Sequence, residues 1–281
     1  SQLTAQISGA DIQTVGPASI TVFNPTPGGG TSGAASLSIN NPAPSLVSLS
    51  PTSALVGGAG FTLTVNGSGF VNGSVVRWNG VAQLTSFVSG TQLSAEIPAS
   101  DLNATGSFSI SVFNPAPGGG SSSTLSFEVL NPAPAINNLS PLSGLLNGPD
   151  FILTVNGGDF VAGSVVKLNG SDRTTSFISA NQLTAQILAA DVATAGFLPI
   201  TVFSPIPGGG SSGAINLQVN NPVPVISNLS PASALLGSAG FTVTVNGSNF
   251  INGALIKVNG IDRSTAFVSS YASLPLRQSL G

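Results

Sequence analysis

The chain has 281 residues, with six Lys and Arg, nine Asp and Glu, no His, no Cys and a formal net charge of −3. Six scattered cations cannot form the basic patch that nucleic-acid binding needs, so no nucleic-acid partner is predicted. Without His or Cys there is no imidazole or thiolate metal site and no disulfide framework. The mean hydropathy is +0.41, but the sequence lacks a run of about 18 apolar residues, which predicts no membrane span.

One passage recurs three times and divides the sequence into repeats. It reads FNPTPGGG, FNPAPGGG and FSPIPGGG at residues 23–30, 113–120 and 203–210. Each copy is followed by Asn-Pro-x-Pro, which begins at Asn41, Asn131 and Asn221. The spacing is 90 residues every time, and a fixed period of this size predicts a tandem array of domains.

In chain order, the repeat predicts two complete modules between two partial ones. Residues 1–11 align with residues 91–101 and 181–191, so the first segment supplies only the last three strands of a module. The predicted divisions are a C-terminal half at 1–40, complete domains at 41–130 and 131–220, an N-terminal half with four strands at 221–270, and a non-repeat tail at 271–281.

A complete module reads as seven short strands. FTLTVNG at 61–67 and SFSISVF at 107–113 alternate apolar with polar residues, which is typical of half-buried strands. SVVRWNG at 74–80 ends in Asn79-Gly80, which predicts a type I′ hairpin turn into AQLTSFVS at 82–89. The other strands are expected at 45–50, 92–97 and 124–129, with Asp101 as a possible cap of a single helical turn. Gly, Pro and Asn turns without helical periodicity predict an all-β, antiparallel immunoglobulin-like sandwich.

Aromatic residues recur in phase between the copies. Phe70, Phe160 and Phe250 occupy one repeat position, and Phe87, Phe177 and Phe267 occupy another. Because they recur at a phase expected to be buried, both sets are predicted to lie in the core.

The sequence resembles the IPT/TIG family of immunoglobulin-like domains. The motifs are carried by Ile226 to Ser233, Phe61 to Phe70, Val76 to Gly80, Gln92 to Ile97 and Asp101 to Ser121, and the resemblance covers residues 1 to about 270. It implies modules of extracellular or surface proteins such as bacterial adhesins, or accessory domains of secreted polysaccharide enzymes. The DNA-binding members use basic loops, which this sequence lacks.

The linkers and the phase of the array suggest a mechanical role. Asn-Pro-(Ala/Val)-Pro alone separates the modules, and paired prolines favour extended geometry, so the sandwiches are expected to form a rod. The partial modules leave three readings: an excerpt of a longer array, closure of the two halves within one chain, or pairing between neighbouring chains. The last reading predicts a homopolymer that grows head to tail into a filament. Its assembly residues are Leu3, Ala5, Ile7, Ile20, Val22, Phe23, Phe241, Val243, Val245, Phe250, Ile256 and Phe267.

Catalytic and cofactor motifs are absent from the sequence. There is no His base, Cys nucleophile or carboxylate pair in a predicted cleft, so no enzyme activity, cofactor or metal is predicted. Asp11, Asp101 and Asp191 occupy equivalent turn positions and are expected to cap or stabilise turns. The GGG runs are followed by neither Lys-Ser/Thr nor a helix and are expected to be hairpin loops.

Glycans are the expected non-protein component. Seven Asn-x-Ser/Thr triplets predict glycosylation at a minority of the sites Asn66, Asn72, Asn103, Asn138, Asn169, Asn228 and Asn246. Carbohydrate binding is the rival function, but the chain has one Trp and one Tyr, Trp78 and Tyr271, and Trp78 is expected to pack internally. The sequence therefore predicts a non-enzymatic, extracellular filament subunit, with a rod-like adhesin or a carbohydrate-binding accessory module as alternatives.

Overall fold

The computed structural model describes residues 1–268, so the predicted tail at 271–281 lies outside the described residues. Two compact units are present, one of residues 1–133 with 204–210 and one that begins with residues 134–203 and resumes at 211. Among the described residues the regular structure is almost entirely strand, with three short 3₁₀ helices. The all-β class predicted from the repeat is confirmed.

The N-terminal segment, residues 1–40, contains one 3₁₀ helix and four strands. These are the 3₁₀ helix Gly9–Ile12, β1 (Gly16–Ile20), β2 (Phe23–Asn24), β3 (Gly30–Thr31) and β4 (Ala35–Ile39). Strands β1 and β4 pair antiparallel, and β2 and β3 form a small hairpin.

The first complete sandwich follows. Its elements are β5 (Ser45–Ser50), β6 (Ser53–Leu55), β7 (Phe61–Ser68), β8 (Val75–Trp78), β9 (Val81–Ala82), β10 (Leu84–Ser89), β11 (Gln92–Ile97), the 3₁₀ helix Ala99–Leu102, β12 (Gly106–Asn114), β13 (Gly120–Ser121) and β14 (Leu125–Leu130). One sheet has the order β10-β11-β7-β5, and the other has the order β6-β14-β12-β8-β9. Strand β6 pairs parallel with β14, and the remaining ladders are antiparallel.

The second complete sandwich repeats this plan. Its elements are β15 (Ala135–Ser140), β16 (Ser143–Leu145), β17 (Phe151–Gly158), β18 (Val165–Leu168), β19 (Ser171–Asp172), β20 (Thr175–Ser179), β21 (Gln182–Ile187), the 3₁₀ helix Ala189–Val192, β22 (Gly196–Ser204), β23 (Gly210–Ser211) and β24 (Ile215–Asn220). Its sheets have the orders β15-β17-β21-β20 and β16-β24-β22-β18-β19.

The C-terminal segment, residues 221–268, contains four strands. They are β25 (Val225–Ser230), β26 (Thr244–Ser248), β27 (Lys257–Val258) and β28 (Ile261–Asp262), paired as β25-β26 and β27-β28.

Alternation along the strands builds each core. In the first sandwich Leu63, Val65, Ile110, Val112 and Phe127 have no exposed surface. In the second, the equivalent positions hold Leu153, Val155, Ile200, Val202 and Leu217, also fully buried. The inward residues of both sheets therefore form one apolar layer per sandwich, as in an immunoglobulin-like fold.

Three local predictions need correction. Phe70 and Phe160 are buried as predicted, but Phe87, Phe177 and Phe267 are 41%, 43% and 38% exposed. Phe87 and Phe177 lie opposite the buried Leu93 and Leu183, but their strands β10 and β20 are at the edges of their sheets, so one side of each ring stays open to solvent. This second set is therefore at the margin of the core.

The hairpin expected at Asn79-Gly80 is shorter than predicted. Asn79 and Gly80 have φ of 45° and 84°, as a type I′ turn requires, but the turn joins β8 only to the two-residue strand β9. After Gln83 the chain crosses to the other sheet. Thr85 Oγ1 accepts a hydrogen bond from Val76 N at 3.0 Å and donates one to Gln83 O at 2.8 Å. The Thr hydroxyl thus replaces the ladder bond that a longer hairpin would supply.

The capping prediction holds at two of its three positions. Asp11 Oδ2 accepts hydrogen bonds from Ser8 N at 2.9 Å and Ser8 Oγ at 2.7 Å, and Asp191 Oδ2 accepts one from Leu188 N at 3.0 Å. The equivalent of Leu188 in the first sandwich is Pro98, which has no N–H to donate. Asp101 instead accepts a hydrogen bond from Gln83 Nε2 at 3.0 Å.

Candidate assembly site

Residues 1–40 expose a face that is core in the complete sandwiches. Leu3, Ile7 and Ile20 are 76%, 47% and 42% exposed, whereas the residues 90 positions later, Leu93, Ile97 and Ile110, are at most 1% exposed. The six residues predicted in this segment are all exposed: Leu3, Ala5, Ile7, Ile20, Val22 and Phe23. The N-terminal segment therefore has an inner face without its second layer.

Phe23 differs from the other five residues because its equivalents lie under a cation. Arg77 Cζ is 4.3 Å from the ring centroid of Phe113, and Lys167 Nζ is 5.5 Å from that of Phe203. Phe23 itself is 66% exposed. Lys257 is the residue that a completed third sandwich would place over it.

The C-terminal segment shows the matching deficit. Val243, Val245, Phe250 and Ile256 are only half-buried, and Phe241 is 57% exposed. At the first four positions the complete sandwiches hold residues that are at most 4% exposed: Leu63, Val65, Phe70 and Val76 in the first, and Leu153, Val155, Phe160 and Val166 in the second. Phe267 is 38% exposed, and its equivalents Phe87 and Phe177 are still 41% and 43% exposed in the complete copies, so a completed sandwich would bury little more of it.

Four further residues belong to the uncovered faces and were missed in the sequence. Ile12, Leu37, Leu229 and Val258 are 49%, 41%, 44% and 45% exposed. Their equivalents, 90 and 180 positions away, are at most 6% exposed: Leu102, Val192, Phe127, Leu217, Leu49, Leu139, Trp78 and Leu168. Extending the 90-residue comparison to every apolar position would have found all four.

Part of each segment keeps the strand pairing of a complete sandwich. Strands β1 and β4 pair Gly16 with Ile39, which is the register of Gly106 with Val129. Strands β25 and β26 pair Val225 with Ser248, including the register shift after Ile226 that the complete copies have. The hydrogen bond from Ile256 N to Thr265 Oγ1 also recurs at 3.0 Å. Where these strands pair, the two segments thus keep the registers of a complete sandwich.

The strands of a complete sandwich divide between the counterparts of the two segments. In the first sandwich, β11 lies between β10 and β7, and the β14-β12 pair lies between β6 and β8. The counterparts of β11, β12 and β14 are in residues 1–40, and those of β5 to β10 are in residues 221–268. One segment therefore supplies the central strands of both sheets, and the other supplies the strands that flank them.

An ion pair in the second sandwich spans the same division. Arg173 Nη2 lies 2.6 Å from Asp191 Oδ1, and Arg173 Nε donates to Asp191 Oδ2 at 3.0 Å, with side chains 17% and 13% exposed. The equivalent residues are Arg263 in the C-terminal segment and Asp11 in the N-terminal segment. Hydrogen bonds from the Ser8 hydroxyl and then from its backbone N–H lower the pKa of Asp11 below its usual 3.8. Asp11 is therefore ionised at neutral pH and ready to bind a guanidinium.

The described residues give no support to metal, membrane or sugar-platform roles. Residues 1–268 contain no group of three or more Asp, Glu, His or Cys placed to hold a metal ion. Within the same range, no helix has the length and apolar character to cross a membrane. Trp78 is 4% exposed and packs against Phe108 and Phe127, with ring centroids 5.1 Å apart in both pairs. It cannot act as an exposed platform, and Tyr271 lies outside the described residues.

The seven predicted glycosylation sites lie on the surface to different degrees. Asn66 is half-buried and its side chain bonds to Ser48 and Gln92. Asn138 and Asn228 each accept a hydrogen bond from the Asn of the neighbouring strand, at 2.8 and 2.7 Å. The exposed sites are Asn72, Asn103, Asn138, Asn169, Asn228 and Asn246. Glycosylation at any of them stays a prediction.

Comparison with known proteins identifies the repeated module. The family model described as IPT/TIG domain matches residues 44–129 and 134–219. No curated protein matches the chain. Among solved structures, one determined with a xylogluco-oligosaccharide shares 21% identity with a TM-score of 0.38, covering 79% of this chain and 51% of that one. The chain therefore spans about half the length of that structure.

Two other solved structures are similar at lower identity. The Bacteroides ovatus SGBP-B of a mixed-linkage glucan utilization locus, in complex with a mixed-linkage heptasaccharide, is 13% identical with a TM-score of 0.26, over 72% of this chain and 51% of that one. A 1.5-MDa bacterial ice-binding adhesin is 14% identical with a TM-score of 0.25, over 76% and 79%. At these scores the similarities carry no argument about function.

Proposed function

Because the chain belongs to the IPT/TIG domain family and carries its modules in tandem, we propose that it is a structural subunit of an extracellular filament. In this proposal the C-terminal segment of one copy and the N-terminal segment of the next combine into a third sandwich. The role is non-enzymatic and the partner is a second copy of the same chain. The rod arrangement of the sandwiches is part of the proposal.

The observation that carries the proposal is the pair of uncovered faces. About ten apolar side chains in the two segments are exposed or half-buried where both complete sandwiches bury their equivalents. Fully burying an exposed Leu, Ile or Val side chain contributes about 1.5–3 kcal/mol, and completing the burial of a half-buried one contributes less. The set together can still offset the ~4–15 kcal/mol that association costs in lost freedom. The paired registers in each segment reduce the ordering cost further.

Main-chain hydrogen bonds supply the second driving force. In the first sandwich β11 forms ladders with β10 and β7 on its two sides. Residues 2–7, its counterpart, form no strand in this structure, and β1 and β4 pair only with each other among the described residues. Insertion of these strands between those of a second copy is strand addition on both sheets at once. Unpaired strand edges would then be satisfied.

The contact is heterologous, since an N-terminal segment meets a C-terminal one. Contacts of this kind give a ring when the rotation closes and an open filament when it does not. The chain has only 15 charged residues. This is fewer than is usual for a protein whose copies must not associate in solution. We infer an extracellular or cell-surface location, with glycans at a minority of the seven sites supplying hydration.

Electron microscopy of the purified full chain tests this function. We expect filaments with an axial repeat of three sandwiches per copy, formed above a critical concentration. A chain shortened to residues 42–220 keeps both complete cores and is expected to stay monomeric. A full chain that stays monomeric and folded at every concentration would instead favour the alternative of a segment from a longer adhesin.

A further inference from the structure

In both complete sandwiches, the GGG loop is hydrogen-bonded to an asparagine that precedes the sandwich. Asn41 N donates to Pro117 O, Asn41 Nδ2 donates to Pro115 O, and Gly119 N donates to Asn41 O, each at 2.8 Å. Asn41 therefore uses its backbone and its side chain to bind the loop at residues 114–120. The loop contributes only backbone atoms.

The arrangement is repeated at Asn131, within one compact unit. Asn131 N and Nδ2 donate to Pro207 O and Pro205 O, and Gly209 N donates to Asn131 O, again each at 2.8 Å. Asn131 is 8% exposed. Two independent copies with equal distances indicate a built binding site for an Asn-Pro segment rather than a chance contact.

A glycine in each loop makes room for that segment. A Cβ added to Gly118 would lie 2.5 Å from Asn40 Cβ and 2.7 Å from Asn41 O, and one added to Gly208 would lie 2.5 Å from Asn131 O. These approaches are too short for real atoms. The first glycine of the GGG run is thus required by the segment that crosses it.

The third loop has the same residues without a segment across it. A Cβ added to Gly28 would meet nothing within 4 Å. Gly119 and Gly209 have φ of +66° and +61°, but Gly29, which holds the equivalent position, is outside this left-handed region. Among residues 1–268, Asn221 is exposed and makes none of the three hydrogen bonds that its equivalents make.

We propose that the loop at residues 24–30 is a receptor for the Asn221-Pro222 segment of a second copy. Pro25 O and Pro27 O would accept hydrogen bonds from Asn221, and Gly29 N would donate one to Asn221 O. This inference rests on the proposed function, because the same junction places both elements in one sandwich. It adds a geometry-specific polar contact to the junction, and so selects a partner with Asn-Pro at this position.

Two substitutions in the full chain test the receptor, each with a matched control. Gly28→Ala places a methyl group where the incoming segment passes. Gly30→Ala is its control, because Gly30 also has a positive φ and neither Gly120 nor Gly210 has an atom within 4 Å of an added Cβ. Asn221→Asp keeps the shape but removes the Nδ2 donor and sets a carboxylate against Pro25 O. Asn216→Asp is its control, because it makes the same change in charge at an exposed position of β24.

The readout is the concentration at which half of the chains are assembled, from sedimentation velocity. We expect Gly28→Ala and Asn221→Asp to raise this concentration about tenfold or more, because each removes hydrogen bonds from the interface. Both controls should stay within about threefold of the parent chain. Thermal unfolding of the complete sandwiches checks that all four variants are folded. Assembly that is equally strong in all variants would overturn the receptor and leave the sandwich junction standing. A parent chain that does not assemble would overturn both.

Discussion

Exchanging the charges at Arg263 and Asp11 is the sharpest mutational test of the junction. In the second sandwich the equivalent Arg173 and Asp191 form a bidentate ion pair with distances of 2.6 and 3.0 Å. Arg263→Asp would place two carboxylates together at the junction, and Asp11→Arg would place two guanidinium groups together. Each variant alone is therefore expected to assemble poorly.

The size of the effect follows from the geometry of Arg173 and Asp191. Their side chains are only 17% and 13% exposed, so solvent screens the pair less than a surface salt bridge. Hydrogen bonds to charged groups contribute about 1.5–3 kcal/mol. Loss of the pair should therefore weaken association by about 10- to 100-fold, and the like-charge contact that replaces it adds to this.

Mixing the two variants is the decisive experiment. In an equal mixture, each junction between unlike chains brings opposite charges together, so copolymers should form at concentrations where neither variant assembles alone. Light scattering follows the assembly. Lys167→Asp, in a complete sandwich, makes the same change in net charge as Arg263→Asp and should not alter assembly. Mixtures that assemble no better than the separate variants would show that Arg263 and Asp11 do not pair between chains.

Three further outcomes are expected. Asn114→Ala should lower the free energy of unfolding of the first sandwich by about 2–4 kcal/mol in urea titrations, because the fully buried Asn114 forms three side-chain hydrogen bonds of 2.6–2.9 Å; an unchanged value would contradict this. Leu37→Asp should abolish assembly without unfolding the complete sandwiches. Val47→Asp, at a site 72% exposed, should leave assembly unchanged; equal effects would show that the uncovered face of residues 1–40 does not drive assembly. NMR titration should find the pKa of Asp11 below 3.8, and Ser8→Ala should raise this pKa back toward 3.8. The stabilisation that the Asp11 carboxylate contributes is therefore present above pH 3.8 and is lost as the pH falls through the lowered pKa.

The strand order of the fold could be predicted because local chemistry determines it. Alternation set the inward faces of β7 and β12, and Asn79-Gly80 set a turn that only residues tolerant of positive φ can form. Phe87 was misplaced because its strand, β10, lies at the edge of the sheet, and periodicity alone does not reveal which strands are edge strands. The transfer of the chain between sheets after Gln83 was missed because it depends on the hydroxyl of Thr85.

The candidate site was predictable in its apolar part but not in its polar part. Leu3 and Ile20 were identified because they share a phase with residues of complete modules. The pairing of Arg173 with Asp191 joins residues 18 positions apart on different elements, and the sequence pattern gives no sign of it. The bonds of Asn41 to a loop 74 residues later are equally non-local. Contacts of this kind become visible only when the strands are placed in sheets.

Cross-linking between strands tests the composite sandwich most directly, and the chain offers a clean background because it has no Cys. Thr4 and Thr244 are the equivalents of Ser94 and Thr64, which are ladder partners in the first sandwich, as Thr184 and Thr154 are in the second. Directly opposite residues of an antiparallel pair have Cα atoms about 4.5–5.5 Å apart, within the range of a disulfide.

A full chain with Thr4→Cys and Thr244→Cys should therefore give, on mild oxidation, a ladder of covalent dimers, trimers and longer products on a non-reducing gel. Thr4→Cys with Thr242→Cys is the matched control, since Thr242 lies two residues out of register on the same strand face and should cross-link much less. A ladder from the first pair alone is expected. Disulfides confined to single chains, or equal products from both pairs, would contradict a sandwich completed between copies.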